Sequence, residues 1–307
     1  MARPRIGLAL GGGSARGWAH LGVLDSLIAA GIEPDIVCGT SIGALVGAAY
    51  VSGRHAVLRQ WAASLTWREM VGLMDVRLSG GGLIDGRNVV KFLQEAGVTG
   101  AIERCAQPFA AVATDLATGA EVWLRSGAIE DAVRASIALP GIFSPVQLEG
   151  RWLLDGGLVN PVPVSVCRAL GADVIIAVNL NSGLVGRSFK NQFVVGRAAA
   201  RTRARTDSLT GMLGRLPVAM REQAAQIAAR LQPQRSSKPG YFDVIANAVY
   251  IMQEQITRTR LAEDRPEVTL TPHLSQIGLL EFNRASEAIA EGSACVERAM
   301  PVLQQYA

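Results

Sequence analysis

Nowhere in the 307 residues is there a run of 18 apolar side chains, so no membrane-spanning helix is expected. Cysteine is sparse: Cys38, Cys105, Cys167 and Cys295 stand far apart, with no CxxC and no Cys/His cluster. That spacing argues against a disulfide framework or a zinc site, and neither metal nor cofactor is expected. Free buried thiols in a reducing compartment are the simpler reading. Aromatic residues are only 5% of the chain. Charged residues are 18%, too few for a wholly disordered chain. Histidine occurs three times, as His20, His55 and His273, which leaves few candidates for a histidine base. The opening Met-Ala-Arg-Pro-Arg runs straight into a short apolar stretch bounded by glycine, so no signal peptide is expected.

What the chain does have is apolar mass and glycine. Apolar residues are 49% and glycines number 33, which suits helices packed closely on a sheet. The spacing Gly43-x-x-x-Gly47 fits helix-on-sheet contact better than membrane dimerisation. Charge is unevenly spread. Residues 187–238 hold eleven Lys/Arg against Asp207 and Glu222, a net +9, and the rest of the chain is net −5. Three readings of this stretch stand: a solvated arm, a contact with anionic lipid headgroups, or nucleic-acid binding. The last is set aside because no aromatic interleaving or known module accompanies the charge. The expected location is cytoplasmic; the lipid-headgroup reading would add peripheral contact at the inner membrane face through residues 187–238, and the solvated-arm reading would not.

Strand and helix patterns alternate through the first half. Strands are predicted at 5–10, 35–38 and 173–179, and helices at 17–30, 42–52, 54–64, 86–96, 128–138 and 162–170. Hairpins are predicted where 109–115 and 121–124 flank Thr118-Gly119, and around Glu149-Gly150. A basic insertion at 182–240 interrupts the rhythm. Beyond it, Ile245, Val249, Met252 and Ile256 fall on one helical face, followed by a strand at 268–270 and a helix at 281–299. The alternation predicts an α/β sheet covered on both faces. No internal repeat occurs, and one domain spanning 5–307 is expected.

Two glycine motifs carry the chemistry. Gly39-Thr40-Ser41-Ile42-Gly43 follows a strand and opens a helix, the setting of a nucleophile elbow. The flanking glycines remove side chains that would clash at so sharp a turn, and the helix N-terminus favours developing negative charge. Gly11-Gly12-Gly13-Ser14-Ala15-Arg16-Gly17 follows the first strand, where successive backbone amides can converge on an anion. That anion could be an acyl oxyanion or a dinucleotide pyrophosphate. The dinucleotide reading needs an acid at the end of the second strand; here that strand runs straight into the serine elbow. Acyl chemistry is favoured.

The base for Ser41 stays open on residues alone. His273 is the histidine in the chain position expected of an α/β-hydrolase triad. His20 reads as structural and His55 as solvated. Asp155, in Asp155-Gly156-Gly157, could serve if burial raised its pKa.

A Gly-rich loop ending Arg-Gly, then Gly-x-Ser-x-Gly, then Asp-Gly-Gly resembles the patatin-like phospholipase family. The nearest likeness is to short bacterial members related to the neuropathy target esterase catalytic domain. It extends to Phe109-Ala-Ala-Val-Ala-Thr-Asp-Leu-Ala-Thr-Gly119, Arg134-Ala-Ser-Ile-Ala-Leu-Pro-Gly141 and Asn160-Pro-Val-Pro163. It is strong over residues 5–180 and weaker from about 241. The resemblance implies a three-layer α/β/α patatin-like fold with a mostly parallel central sheet. It implies a serine lipid acyl hydrolase of phospholipase, lysophospholipase or carboxylesterase type. The alternative is a catalytically silent lipid-binding or regulatory protein on the same scaffold. It further implies a Ser41–Asp155 dyad without histidine and an oxyanion hole at Gly11, Gly12 and Gly13. Arg16, Gly17, Gly39, Gly43, Gly156 and Gly157 would support these motifs. Arg16 would fix the loop or its electrostatics, or else make a surface ion pair. Ser14 stands where the family often carries another glycine.

Overall fold

A computed structural model describes residues 3–66, 84–182 and 241–307. The basic stretch 187–238, with its expected lipid contact, lies outside the described residues.

The strands are β1 (Ile6–Leu10), β2 (Ile36–Thr40), β3 (Phe109–Asp115), β4 (Glu121–Leu124), β5 (Val146–Leu148), β6 (Arg151–Asp155), β7 (Val174–Val178) and β8 (Val268–Leu270). The helices are α1 (Ala19–Ala29), α2 (Ile42–Val51), α3 (His55–Ser64), α4 (Arg87–Glu95), α5 (Ile129–Ser136), α6 (Val164–Ala169), α7 (Tyr241–Glu263) and α8 (Ala285–Leu303). Hydrogen-bonded neighbours run β5-β6-β3-β2-β1-β7-β8, with β4 also on β3. The strands β3, β2, β1, β7 and β8 are parallel. β4, β5 and β6 form the antiparallel part, built from the two hairpins the turn signals predict. This is the expected α/β architecture with a mostly parallel sheet.

The central strands are buried throughout because apolar layers cover both faces. Leu8 and Leu10 of β1 point into the larger core with α1, α2 and α8. Ala9 points the other way, into a smaller core with Val164, Val166 and Cys167 of α6.

Gly22 of α1 and Gly292 of α8 let these helices touch backbone to backbone. A β-carbon on Gly22 would collide with the Ile289 carbonyl, and one on Gly292 with the Ala19 carbonyl. On an open helix face, Gly→Ala stabilises by about 1 kcal/mol. Here the sign reverses: Gly292→Ala is expected to cost about 1–3 kcal/mol through overpacking. Thermal unfolding checks this, at roughly 2–4 °C per kcal/mol for a large domain; an unchanged or raised Tm would remove the close crossing.

One helical face differs from the sequence reading. On α7, Met252 is half exposed, and the inward positions are Val249, Gln253 and Thr257. The inward face is partly polar because it packs on polar groups. Asn181 Nδ2 donates to Gln253 Oε1 at 3.3 Å, and Arg260 donates to Glu121 at 3.0 Å. Apolar periodicity therefore misplaces the buried stripe. None of the helices among the described residues is long and apolar enough to cross a membrane.

Candidate active site

Ser41 sits between the end of β2 and the start of α2, with φ 57° and ψ −125°. This is a strained conformation for a residue with a side chain, and it lifts the hydroxyl off the sheet. The turn is tight enough to require its glycines: a β-carbon on Gly43 would strike the Leu10 carbonyl, and one on Gly39 would strike the backbone of Gly43 and Ala44. The Ser41 N–H donates to Ser136 Oγ at 2.9 Å, and that hydroxyl donates to the Val112 carbonyl at 2.6 Å. A side chain from the end of α5 thus ties the strained turn to β3.

The partner of Ser41 arrives through an unusual division of one strand edge. β4 lies along one edge of β3, from Ala111 to Thr114. The other edge is shared. β2 pairs with it through Val112, and β6 takes over at Ala113, opposite Asp155. β2 runs parallel to β3 and β6 antiparallel, so their C-terminal ends meet head-on. Ser41 and Asp155 stand at that junction, and Ser41 Oγ donates to Asp155 Oδ2 at 2.6 Å. Asp155 Oδ1 accepts from the Gly157 N–H at 2.7 Å, and its carbonyl accepts from Thr114 Oγ1 at 2.8 Å. Gly156 packs against the Val112 carbonyl. Asp155 is fully buried, and this desolvation pushes its pKa up to about 6, although the Ser41 hydroxyl and Gly157 amide both pull it down.

The Gly-rich loop lies beside this pair; a β-carbon on Gly12 would be 3.5 Å from Ser41 Cβ. Its amides are not equivalent. Gly11 N–H donates to the Val178 carbonyl at 3.1 Å and Gly12 N–H to the Pro161 carbonyl at 2.9 Å. Both are committed to holding the loop on β7 and the Asn160–Pro163 turn, which corrects their expected place in the hole and equally removes them from a pyrophosphate cradle. Ala15 and Arg16 amides are also bonded, to the Leu279 and Gly13 carbonyls. The Gly13 and Ser14 amides have no backbone acceptor among the described residues. His20 Nε2 donates to the Gly11 carbonyl at 2.7 Å from a fully buried position, and burial lowers its pKa to about 4. Neutral His20 is a strut behind the loop.

Arg16 is buried rather than in a surface ion pair. It donates to Asn181 Oδ1 at 3.1 Å and lies 4.4 Å from the Tyr250 ring centroid. Burial lowers its pKa, against the pull of Tyr250. Gly17 packs directly on Ile42, joining this loop to the elbow helix.

Ser41 lines an apolar cavity of about 910 Å³, counting its open mouth. Trp18, Trp61, Phe92, Phe143 and Phe282 form much of its wall, with Ile42, Leu45, Leu65 and Leu139. Trp61 packs on Phe92 at 3.8 Å between centroids, and Trp18 meets Trp61 edge-on at 5.9 Å. Aromatics are rare in this chain but gather here, a grouping no sequence spacing announces. Ser136 was equally invisible except as part of Arg134–Gly141.

The other histidines lie elsewhere. His273 has an exposed ring 3.9 Å from Glu291 on α8, and His55 is 3.8 Å from Asp25. The Ser41 hydroxyl bonds to Asp155.

The molecule is thus a layered α/β protein of the class that sets a serine elbow against a buried carboxylate beside an apolar cavity. The patatin-like phospholipase family model matches residues 8–168, and the chain belongs to that family. An uncharacterized NTE family protein of Mycobacterium tuberculosis (strain ATCC 25618 / H37Rv) is 32% identical over 98% of this chain and 92% of its own length. Neuropathy target esterase sws of Drosophila melanogaster is 36% identical over 58% of this chain and 13% of its own. Patatin-like phospholipase domain-containing protein 6 of Mus musculus is 34% identical over 58% of this chain and 14% of its own.

Proposed function

We propose that this chain is a serine lipid acyl hydrolase in which Ser41 is the nucleophile and Asp155 the base. The observation that carries the reading is the 2.6 Å bond from Ser41 Oγ to buried Asp155, beside an apolar cavity suited to an acyl chain. Family membership and the names of the relatives support the substrate class.

Ser41 Oγ attacks the ester carbonyl carbon as its proton passes to Asp155 Oδ2. The oxyanion that forms is held by the Gly13 and Ser14 amides. Collapse breaks the bond to the alcohol, which leaves with the proton from Asp155. Water then attacks the acyl-Ser41 ester, giving its proton to Asp155. The second collapse frees the fatty acid and returns the proton to Ser41. A carboxylate with a pKa near 6 is a stronger base than an ordinary aspartate yet largely ionised at neutral pH.

An alkyl fluorophosphonate should label the intact protein at Ser41, as read by mass spectrometry of the modified peptide. Lipid binding without labelling or turnover would instead favour a silent binding protein on this scaffold.

A further inference from the structure

We infer that Ser14 is a catalytic residue, whose hydroxyl donates to the oxyanion alongside its own N–H and that of Gly13. The inference rests on the acyl-hydrolase reading above and adds a side-chain donor to it.

Its backbone is the first argument. Ser14 has φ 49°, in the left-handed region, and only Ser41 and Glu149 share that property among the described non-glycine residues. Two of these three residues face the same cavity. A left-handed position is costly for a residue with a β-carbon and free for glycine. A conformational requirement alone would be met better by a fourth glycine in this loop. The strain is retained together with a hydroxyl.

The surroundings are the second argument. Among the described residues lining the cavity, Ser14 and Ser41 alone carry hydroxyl groups. No described residue hydrogen-bonds the Ser14 hydroxyl. Its N–H has no backbone acceptor among the described residues, whereas Gly11, Gly12, Ala15 and Arg16 all use theirs. Gly12, two residues earlier, lies against Ser41. Ser14 therefore brings two donors, N–H and O–H, unengaged by any described residue, to the apolar cavity that Ser41 also lines. An ester with its chain in the cavity and its carbonyl carbon at Ser41 would place its oxygen beside the Gly-rich loop, which meets Ser41 at Gly12. A donor already in place costs no reorganisation as charge develops.

The test compares Ser14→Ala and Ser14→Gly with wild type on p-nitrophenyl acyl esters. Both variants should lose about 10²-fold in kcat, the usual effect of removing one oxyanion donor, with KM little changed. An alkyl trifluoromethyl ketone, which forms a tetrahedral oxyanion on serine, should bind both variants more weakly by a similar factor. Ser14→Gly should keep a Tm at or above wild type, because it releases the strained φ; loss of activity there cannot be loss of fold. Wild-type kcat and ketone affinity in both variants would overturn the inference. If wild type itself shows neither labelling of Ser41 nor turnover, the hydrolase reading fails, and that result is separate from any Ser14 effect.

Discussion

Replacing Ser41 with alanine is expected to abolish ester turnover, with a fall in kcat/KM on the order of 10⁴-fold or more. That corresponds to at least about 5 kcal/mol of lost transition-state stabilisation. On the proposed mechanism the loss is large because the attacking oxygen itself is removed. The turn that presents Ser41 is rigid, held by Ser136 from α5 and by close glycine contacts with the Leu10 carbonyl. Alanine keeps the elbow backbone and its N–H bond to Ser136, so the variant should give an unchanged circular dichroism spectrum. Hydrolysis of p-nitrophenyl butyrate by purified protein is the measurement. Turnover at the wild-type rate in Ser41→Ala would end the proposal.

Asp155→Asn should be nearly as damaging, about 10³-fold or more in kcat, whereas His273→Ala should leave kcat unchanged. Asparagine keeps the size of the side chain but cannot accept the serine proton as a base. The His273 ring is exposed beside Glu291 and has no contact with Ser41. The opposite pattern, a large loss only in His273→Ala, would replace the dyad with a histidine mechanism. Wild-type kcat/KM should rise with pH through about 6 as Asp155 ionises, then level off.

The same shift sets a stability signature. Between the ordinary aspartate value near 4 and about 6, the folded protein holds the Asp155 proton more tightly than the unfolded chain. Protons bound in the unfolded state are then fewer, so this group's contribution to stability falls as pH rises through that window. The fall is about 3 kcal/mol at most. Asp155→Asn lacks a titrating group there. Its Tm relative to wild type should therefore rise between pH 4 and 6 and stay higher at pH 8, while its activity is lost. A buried carboxylate of this kind lowers stability, and on the proposed mechanism that loss is exchanged for reactivity.

Much of this site was legible because its motifs are local. An elbow, a Gly-rich loop and an Asp-Gly-Gly turn are each defined by backbone needs within a few residues. The same holds for the hairpins around Gly119 and Gly150, both glycines at positive φ. What the chain does not announce is set by tertiary contact. Gly11 and Gly12 lie in an anion-binding motif, yet their amides are taken by carbonyls of residues more than 140 positions away. Ser136 looks like an ordinary helix-end serine until its hydroxyl meets the Ser41 amide. Apolar periodicity misplaces the inward face of α7 because it assumes an apolar partner surface, and α7 packs partly on Asn181 and Glu121. The joining of Ser41 to Asp155 follows from which edge of β3 accepts β6, a choice no window of sequence contains.

That shared edge also gives the molecule a timetable. Ser41 and its hydrogen-bonded carboxylate are 114 residues apart in sequence, so their meeting closes a long loop and carries the slow kinetics of non-local pairing. A chain emerging from the ribosome displays the Gly loop and the serine elbow long before residue 155 is made. Until β3 has formed and β6 has docked in the space beyond β2, the serine lacks its carboxylate partner. On the proposed mechanism a nascent or half-folded copy is chemically silent toward lipid, and reactivity toward a fluorophosphonate during refolding becomes a clock for the last step of sheet assembly.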